Sequence, residues 1–321
     1  MRLRTFESFW LLKNGLLYTY PTLQKNIKTE ILLIGGGITG ALISDALMDA
    51  GYKVTLIDCR DIGQGSTSAT TSMLQYEIDE PLKDLAQKIG EDGAALCYQE
   101  GIIAIKDLKK LVTAKKIDCG FKMKKSLYIA HNKNAAKELH QEYEMRKKYK
   151  LGVKWLEPDV IKKTYGIVSQ GGILSETAAS VDAYKMAHEL IAFNVKRGMK
   201  VFDQTEIKSI QDQGKFPKVI TQENHTITAK KIIFCTGFET VNLLKEKVAE
   251  LIYTYATVSE PTQTYNQNLE NILIWNTQDP YLYMRTTDDG RFLVGGEDSV
   301  YKDTILQQNI KEEKSKTLIK K

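Results

Sequence analysis

The stretch from Glu30 to Asp58, EILLIGGGITGALISDALMDAGYKVTLID, constrains the fold most tightly. Ile31, Leu32, Leu33 and Ile34 form an unbroken apolar run, the pattern of a parallel strand buried on both faces. Gly35, Gly37 and Gly40 follow at G-x-G-x-x-G spacing. In such a turn the first glycine permits the tight bend. The second lets backbone approach a pyrophosphate, and the third lets the helix pack closely on the strand. The helix that follows points its first N–H groups at the phosphates, and Gly51 is placed to end it. Val54 to Ile57 makes a second strand, closed by Asp58, an acid positioned to accept ribose hydroxyls. A glycine triplet alone is a weak signal. Strand, helix and acid together point to a dinucleotide site, against the plainer alternative of a glycine-rich turn in an ordinary α/β protein.

At 321 residues the chain has room for two domains or one large α/β domain. Its net charge of +5 comes from lysines spread along the sequence, too diffuse to argue for nucleic acid. Cys59, Cys97, Cys119 and Cys235 form no C-x-x-C pair and sit at no ligand spacing with the four histidines. Neither a metal site nor a disulfide framework is expected, as in a reducing cytosol. The apolar FWLLKNGLLY near the start is short and has no small-residue cleavage site after it. It reads as packing against the domain rather than as a signal peptide. No run of about 18 apolar residues offers a transmembrane span.

After Asp58 comes a small, hydroxyl-rich loop, Cys59 to Leu74, leaving the strand edge at which ligands bind in open α/β sheets. Its hydroxyls and backbone N–H groups suit phosphate oxygens and the polar edge of a ring; a flexible Ser/Thr linker is the alternative. Residues 81–117 repeat apolar positions at helical spacing, with Gly90, Gly93 and Gly101 as breaks or close contacts. Phe121 to Ala130 reads as a strand, 133–150 as a charged surface helix, and Trp155 to Pro158 as an irregular element. His131 and His140 are expected to face solvent, and Gly171 to Leu174 is a strand or a turn. Asp182 N-caps a helix that Gly198 ends. A short strand at 200–202 precedes a small antiparallel meander at 207–210, 217–221 and 225–229. Lys231 to Phe234 makes a further strand that runs into Thr236-Gly237. Residues 250–300 read mainly as β, with a hairpin turned by Asp289-Gly290, and the tail reads as a helix.

Taken in order, IGGGITG, Asp58, GQGSTSATTSML, the TEI element, IIFCTG and YLYMRTTDDGRFLVGGED resemble the D-amino-acid oxidase/glycine oxidase (DAO) superfamily of FAD-dependent oxidoreductases. The resemblance implies an α/β fold. A Rossmann-like FAD/NAD(P)-binding domain would occupy 27–118 and 176–245, and a mainly antiparallel β substrate domain 119–175 and 246–305. Residues 1–26 would be a lead-in and 306–321 a C-terminal helix. The resemblance sets the pyrophosphate against Gly35, Gly37, Ile38, Thr39 and Gly40, the ribose on Asp58, and Cys59 and Cys235 beside the adenine half. Gly65, Ser66, Thr67, Ser68, Ala69, Thr70, Thr71, Met73 and Leu74 would run along the pyrophosphate toward the flavin. Ile207 would offer its backbone to adenine, and Thr236 and Gly237 would lie by the dinucleotide.

The same resemblance implies non-covalent FAD and oxidation of the C–N bond of an amine or amino acid, with hydride passing to the flavin. The electron acceptor would be oxygen, a quinone or a partner protein, and the location cytoplasmic. Tyr253, Tyr281, Tyr283 and Arg285 are candidates to face the flavin from the substrate sheet. Sheet packing, or an ion pair for Arg285, is the alternative, because a strand's parity follows only from its register. Two departures stand out. Asp58 replaces the glutamate usual in such flavoproteins, and nothing matches the W-A-G-x-R-P-x-T-x-D-x-x-P-x-I-G segment that follows the final helix in relatives. The chain is therefore expected to stop short of that segment. An NAD(P)-dependent dehydrogenase and a non-catalytic nucleotide-binding remnant are the competing functions.

Overall fold

A computed structural model of the chain describes residues 3–4, 8–212, 214–262, 264–300 and 308–320. It divides into two compact units. The first comprises Met1–Thr70, Ile117–Cys119 and Asp182–Leu251; the second comprises Thr71–Lys116, Gly120–Val181 and Ile252–Lys321. Two segments are placed by the cores they share. The helical stretch that follows the hydroxyl-rich loop belongs to the second unit, because Leu82, Ala94, Tyr98 and Ile105 share a core with Leu151 and Ala179. The lead-in belongs to the body of the first unit. Trp10 and Leu23 are each only 1% exposed, and Leu23 packs with Leu32, Ile34 and Ile57.

The first unit is built on a six-stranded sheet. Its order is Lys200–Phe202, Val54–Ile57, Ile27–Ile34, Thr226–Phe234, Lys218–Thr221 and Ile207–Gln211. The first four strands are mutually parallel, and Lys218–Thr221 runs antiparallel to both of its neighbours. As the apolar run requires, Leu32 and Leu33 are fully buried. Helix Ile38–Asp49 ends at Gly51, whose φ is +83°. Helix Ala183–Lys196 is N-capped by Asp182, whose Oδ1 accepts the Lys185 N–H at 2.9 Å. The two helices are tied by Asn194 Nδ2 donating to Asp45 Oδ1 at 3.0 Å. One expectation is corrected. The third meander strand and the strand at 231–234 are a single element, Thr226–Phe234. Its start pairs antiparallel with Lys218–Thr221, and its length pairs parallel with Ile27–Ile34. The Lys230-Lys231 pair lies on an exposed stretch of this strand, with Lys230 Nζ 3.1 Å from Glu30 Oε1.

The second unit holds an eight-stranded sheet. The order is Ile252–Val258, Phe292–Val300, Leu282–Thr286, Ile272–Asn276, Lys122–Ile129, Gly172–Ser180 and Met73–Gln75, with Val153–Leu156 also on Gly172–Ser180. Only the pairing of Ile272–Asn276 with Lys122–Ile129 is parallel. One sheet face buries Leu127, Leu174, Ile272 and Ile274 against Ile161 of helix Pro158–Tyr165. Three local expectations change. Gly90, at φ +84°, splits the helical stretch into Leu82–Ile89 and Glu91–Lys115. The element at Trp155 is the strand Val153–Leu156 followed by the helix that Pro158 begins. Helix Lys133–Lys148 is charged, yet Glu142 and Arg146 on it are buried. Of the expected tail helix, 306–321, Gln308–Lys320 is seen, and residues 306, 307 and 321 lie outside the described residues. No helix among the described residues is long and apolar enough to cross a membrane.

Candidate cofactor and substrate sites

In the first unit the strands Ile27–Ile34, Val54–Ile57 and Thr226–Phe234 end side by side, and backbone hydrogen bonds knit their ends. Gly35 N–H donates to Ile57 O (2.8 Å), and Cys235 N–H to Ile34 O (2.7 Å). Gly35 has φ +112°, and a Cβ on it would stand 2.4 Å from Cys235 O. Both the backbone conformation and the neighbouring strand therefore require glycine there. A Cβ on Gly40 would stand 2.0 Å from Gly35 O, so the helix lies directly on the turn.

The middle of the turn is lined by the hydroxyl-rich loop. A Cβ on Gly37 would meet its own chain, the Thr67 hydroxyl, at 3.0 Å. That hydroxyl accepts the Ile38 N–H at 3.0 Å and so caps the helix from the hydroxyl-rich loop. Thr39 and Gly40, next in line, are first-turn donors of the kind a helix cannot satisfy internally. Gly36, which spacing alone does not single out, is constrained chiefly by its hydrogen bonds. Its N–H donates to Asp58 Oδ2 at 2.6 Å, its carbonyl accepts Gly63 N–H at 3.1 Å, and a Cβ would stand 2.3 Å from Ile62 Cδ1.

Asp58 also accepts the Arg60 N–H on Oδ1 at 2.8 Å. Burial raises its pKa, opposed by these two backbone hydrogen bonds. Each carboxylate oxygen takes one N–H and retains acceptor capacity. The Asp58 carbonyl accepts Thr205 N–H at 2.7 Å, which fixes the approach to Ile207. The Ile207 side chain packs against the sheet core. Arg60 makes a bidentate pair with Glu239 (2.6 and 3.1 Å), in the turn that Thr236 and Gly237 open. Cys59 is exposed, whereas Cys235 is buried and its thiol is pushed up to about 11 by burial.

The hydroxyl-rich loop is a folded element rather than a linker. Ser66–Ser68 form a short 3-10 turn with Thr67 and Ser68 buried. Ser68 Oγ donates to Gly65 O at 3.0 Å, and Trp10 Nε1 donates to Thr70 O at 2.7 Å. Trp10 is the signal that could have assigned the lead-in a purpose: a buried indole needs an acceptor.

In the second unit the loop continues into Met73–Gln75, on the edge of the large sheet. Register now fixes parity. Trp155, Ile173, Tyr128, Trp275, Tyr283 and Gly295 stand opposite one another across six strands, so they share one face. Tyr128 and Trp275 stack at 3.6 Å, and Trp275 Nε1 donates to Ser126 Oγ at 3.1 Å. Tyr283 lies across Gly295, where a Cβ would come within 2.3 Å of its ring. Tyr281 joins it, with ring centroids 5.5 Å apart. Burial raises both tyrosines, Tyr281 to about 12. Tyr253 is half-buried on the strand Ile252–Val258, paired with Ser299.

Arg285 is held differently. It is buried, and its Nη1 donates to the carbonyls of Ser72 (2.9 Å) and Val181 (3.3 Å), pinning the end of the loop to the sheet. Lys124, which the charged run KMKK conceals, is buried near it, with Nζ 3.4 Å from Thr286 O. Burial, with the neighbouring Arg285 charge, lowers Lys124 to about 8. Trp275 and Lys124 are the residues of this face that sequence reasoning missed; both sit in strands whose register the sequence does not reveal.

The model of the DAO family, FAD dependent oxidoreductases, matches residues 30–321. The chain belongs to this family. Its FAD is therefore the cofactor against which the first unit's turn, acid and loop are to be read, and the nicotinamide alternative has no comparable support. Among proteins similar to this DAO-family chain is a Bacillus subtilis protein named as a Rieske 2Fe-2S iron-sulfur protein, YhfW, 28% identical over 233 residues. The match covers 72% of this chain and 44% of that protein. Gamma-glutamylputrescine oxidoreductase of Escherichia coli is 22% identical, over 86% of this chain and 66% of its own length. The DAO-family chain thus spans between about half and two thirds of these relatives. Among solved structures, L-proline dehydrogenase from P. horikoshii has a TM-score of 0.73 at 18% identity, covering 92% of this chain and 76% of that one. Glycine oxidase from Geobacillus kaustophilus has a TM-score of 0.67 at 17% identity, covering 88% and 75%. These two likenesses establish the shared fold.

Proposed function

We propose that the chain carries the FAD-binding and substrate-facing parts of an oxidoreductase acting on the C–N bond of an amine or amino acid. The observation that carries this reading is the junction of the three parallel strand ends. There Gly35, Gly36 and Gly40 leave no room for side chains, and Asp58 is set by two N–H donors beside them. The residues fit a dinucleotide: backbone and first-turn N–H groups of Gly37, Thr39 and Gly40 for the pyrophosphate, and Asp58 for the ribose. The loop from Gly65 to Leu74 runs on from that turn, and Thr236, Gly237 and the backbone at Ile207 complete the nucleotide's surroundings in this reading.

FAD, when bound, supplies a two-electron acceptor for the hydride that leaves the carbon beside the substrate nitrogen. The chain's own residues bind and orient. Tyr281, Tyr283 and Trp275 present an aromatic surface to substrate, while Arg285 fixes Ser72 at the end of the loop. Purified protein is expected to show a flavin spectrum, to release FAD on denaturation, and to bleach anaerobically with an amine or amino acid. FAD with no bleaching by any of a broad amine and amino-acid panel would favour the non-catalytic nucleotide-binding reading. Absence of FAD binding, even with FAD added, would overturn the proposal.

A further inference from the structure

The aromatic face of the second unit carries one charge that the scheme above leaves unused. In the strand Phe292–Val300, Gly296 has φ +138° and Glu297 φ +58°. Tyr255 pairs with Gly296 but Tyr253 pairs with Ser299, so the strand contains an extra residue at this point. Glu297 and Asp298 therefore stand together opposite Thr254. Thr254 Oγ1 lies 3.2 Å from Tyr283 Oη, on the aromatic face. Bulges of this kind re-aim a side chain beside active sites. Glu297 is taken by Lys314 at 3.2 Å. Asp298 is not: its Oδ1 is buried and has no hydrogen-bond partner among the described residues. Its charge acts on both Tyr281 and Tyr283, as does that of exposed Asp79. The cations of the same sheet, Lys124 and Arg285, are directed at main-chain carbonyls instead.

We propose that the Asp298 carboxylate and the Tyr281–Tyr283 ring pair form a subsite for the alkylammonium group of a cationic substrate. The proposal rests on the amine-oxidoreductase reading and narrows it to amines whose positive charge, rather than a carboxylate, is held by this face. The chemistry is direct. A buried carboxylate oxygen without a donor is costly until a cation supplies one, and the faces of two tyrosine rings add attraction for an ammonium. Trp275, stacked on Tyr128 in the same row, continues the surface for the alkyl part.

The test titrates n-butylamine, n-butanol and butyrate into the full chain with FAD, following protein fluorescence and flavin absorbance in parallel. The expected result is saturable binding of n-butylamine at least about tenfold tighter than either isostere, as a charge-assisted hydrogen bond implies. Asp298→Asn should weaken n-butylamine binding about tenfold, and Asp298→Glu should restore most of it. Equal affinity for n-butylamine and n-butanol in the wild type, or an unchanged affinity in a folded Asp298→Asn variant, overturns the subsite. The wild-type series decides even if the variant does not fold. Failure of the flavoenzyme reading looks different: no FAD is bound, while the protein-fluorescence titration still reports on Asp298.

Discussion

At the scale of single residues, the glycine turn separates two kinds of crowding that sequence spacing treats alike. A methyl on Gly36 meets the far end of the Ile62 side chain, which can move; a methyl on Gly40 meets the Gly35 carbonyl, which cannot. Gly40→Ala should therefore destabilise by about 1–3 kcal/mol and lose FAD, whereas Gly36→Ala should cost less. Denaturant midpoints and FAD content of the two variants check the order; a reversed order would mean the helix, not Ile62, yields. The tight bend at Gly35 and the close helix at Gly40 were legible because that geometry is written in glycine spacing. The Thr67 cap on Ile38 was not, since it joins residues 29 apart. Beneath the same loop, His188 is fully buried against Tyr184 (4.5 Å), and burial pushes it down to about 4. The sign follows from linkage: with the folded value below the unfolded value of about 6.5, stability is full above that unfolded value. It is lost as pH falls toward the folded one. Wild-type stability should drop on the order of 3 kcal/mol between neutral pH and the folded value. His188→Phe should flatten that slope, as urea titrations at several pH values would show.

At the scale of elements, most helices and strands were readable from period and punctuation, and the misses share a cause. The strand Thr226–Phe234 contains Lys230 and Lys231, and helix Lys133–Lys148 hides two buried charges within a polar run. Neither arrangement follows from local pattern, because in each the partner lies on a distant element. Glu142 shows what the helix gains. Its Oε1 accepts the Leu82 N–H and Arg146 Nε, and its Oε2 accepts the Lys83 N–H, at 2.9, 2.7 and 2.9 Å. It thereby caps helix Leu82–Ile89, which has no side-chain cap of its own. Arg146 in turn reaches Glu77 (3.2 Å) and lies 5.3 Å from the centre of the Tyr98 ring. Glu142→Ala should destabilise the protein by about 3–5 kcal/mol, because it strands a buried guanidinium as well as uncapping the helix. The check is a urea midpoint, read with an unchanged denaturant slope. A shift below about 1 kcal/mol, the size of a surface pair, would show that solvent reaches the cluster.

At the scale of the whole molecule, the α/β character followed from the order of motifs. The grouping of 71–116 with the second unit was not legible, because contacts rather than composition decide it. The pairing of Ile27–Ile34 with Thr226–Phe234 has a consequence for how the protein is made. The strand that carries the glycine turn leaves the ribosome before its inner neighbour, which follows about 200 residues later. At about 5–20 residues per second, that strand waits roughly 10–40 s for its partner. Throughout that interval Leu32 and Leu33 lack one flank of their sheet, which makes the nascent chain, rather than the finished fold, the state most in need of a chaperone's protection.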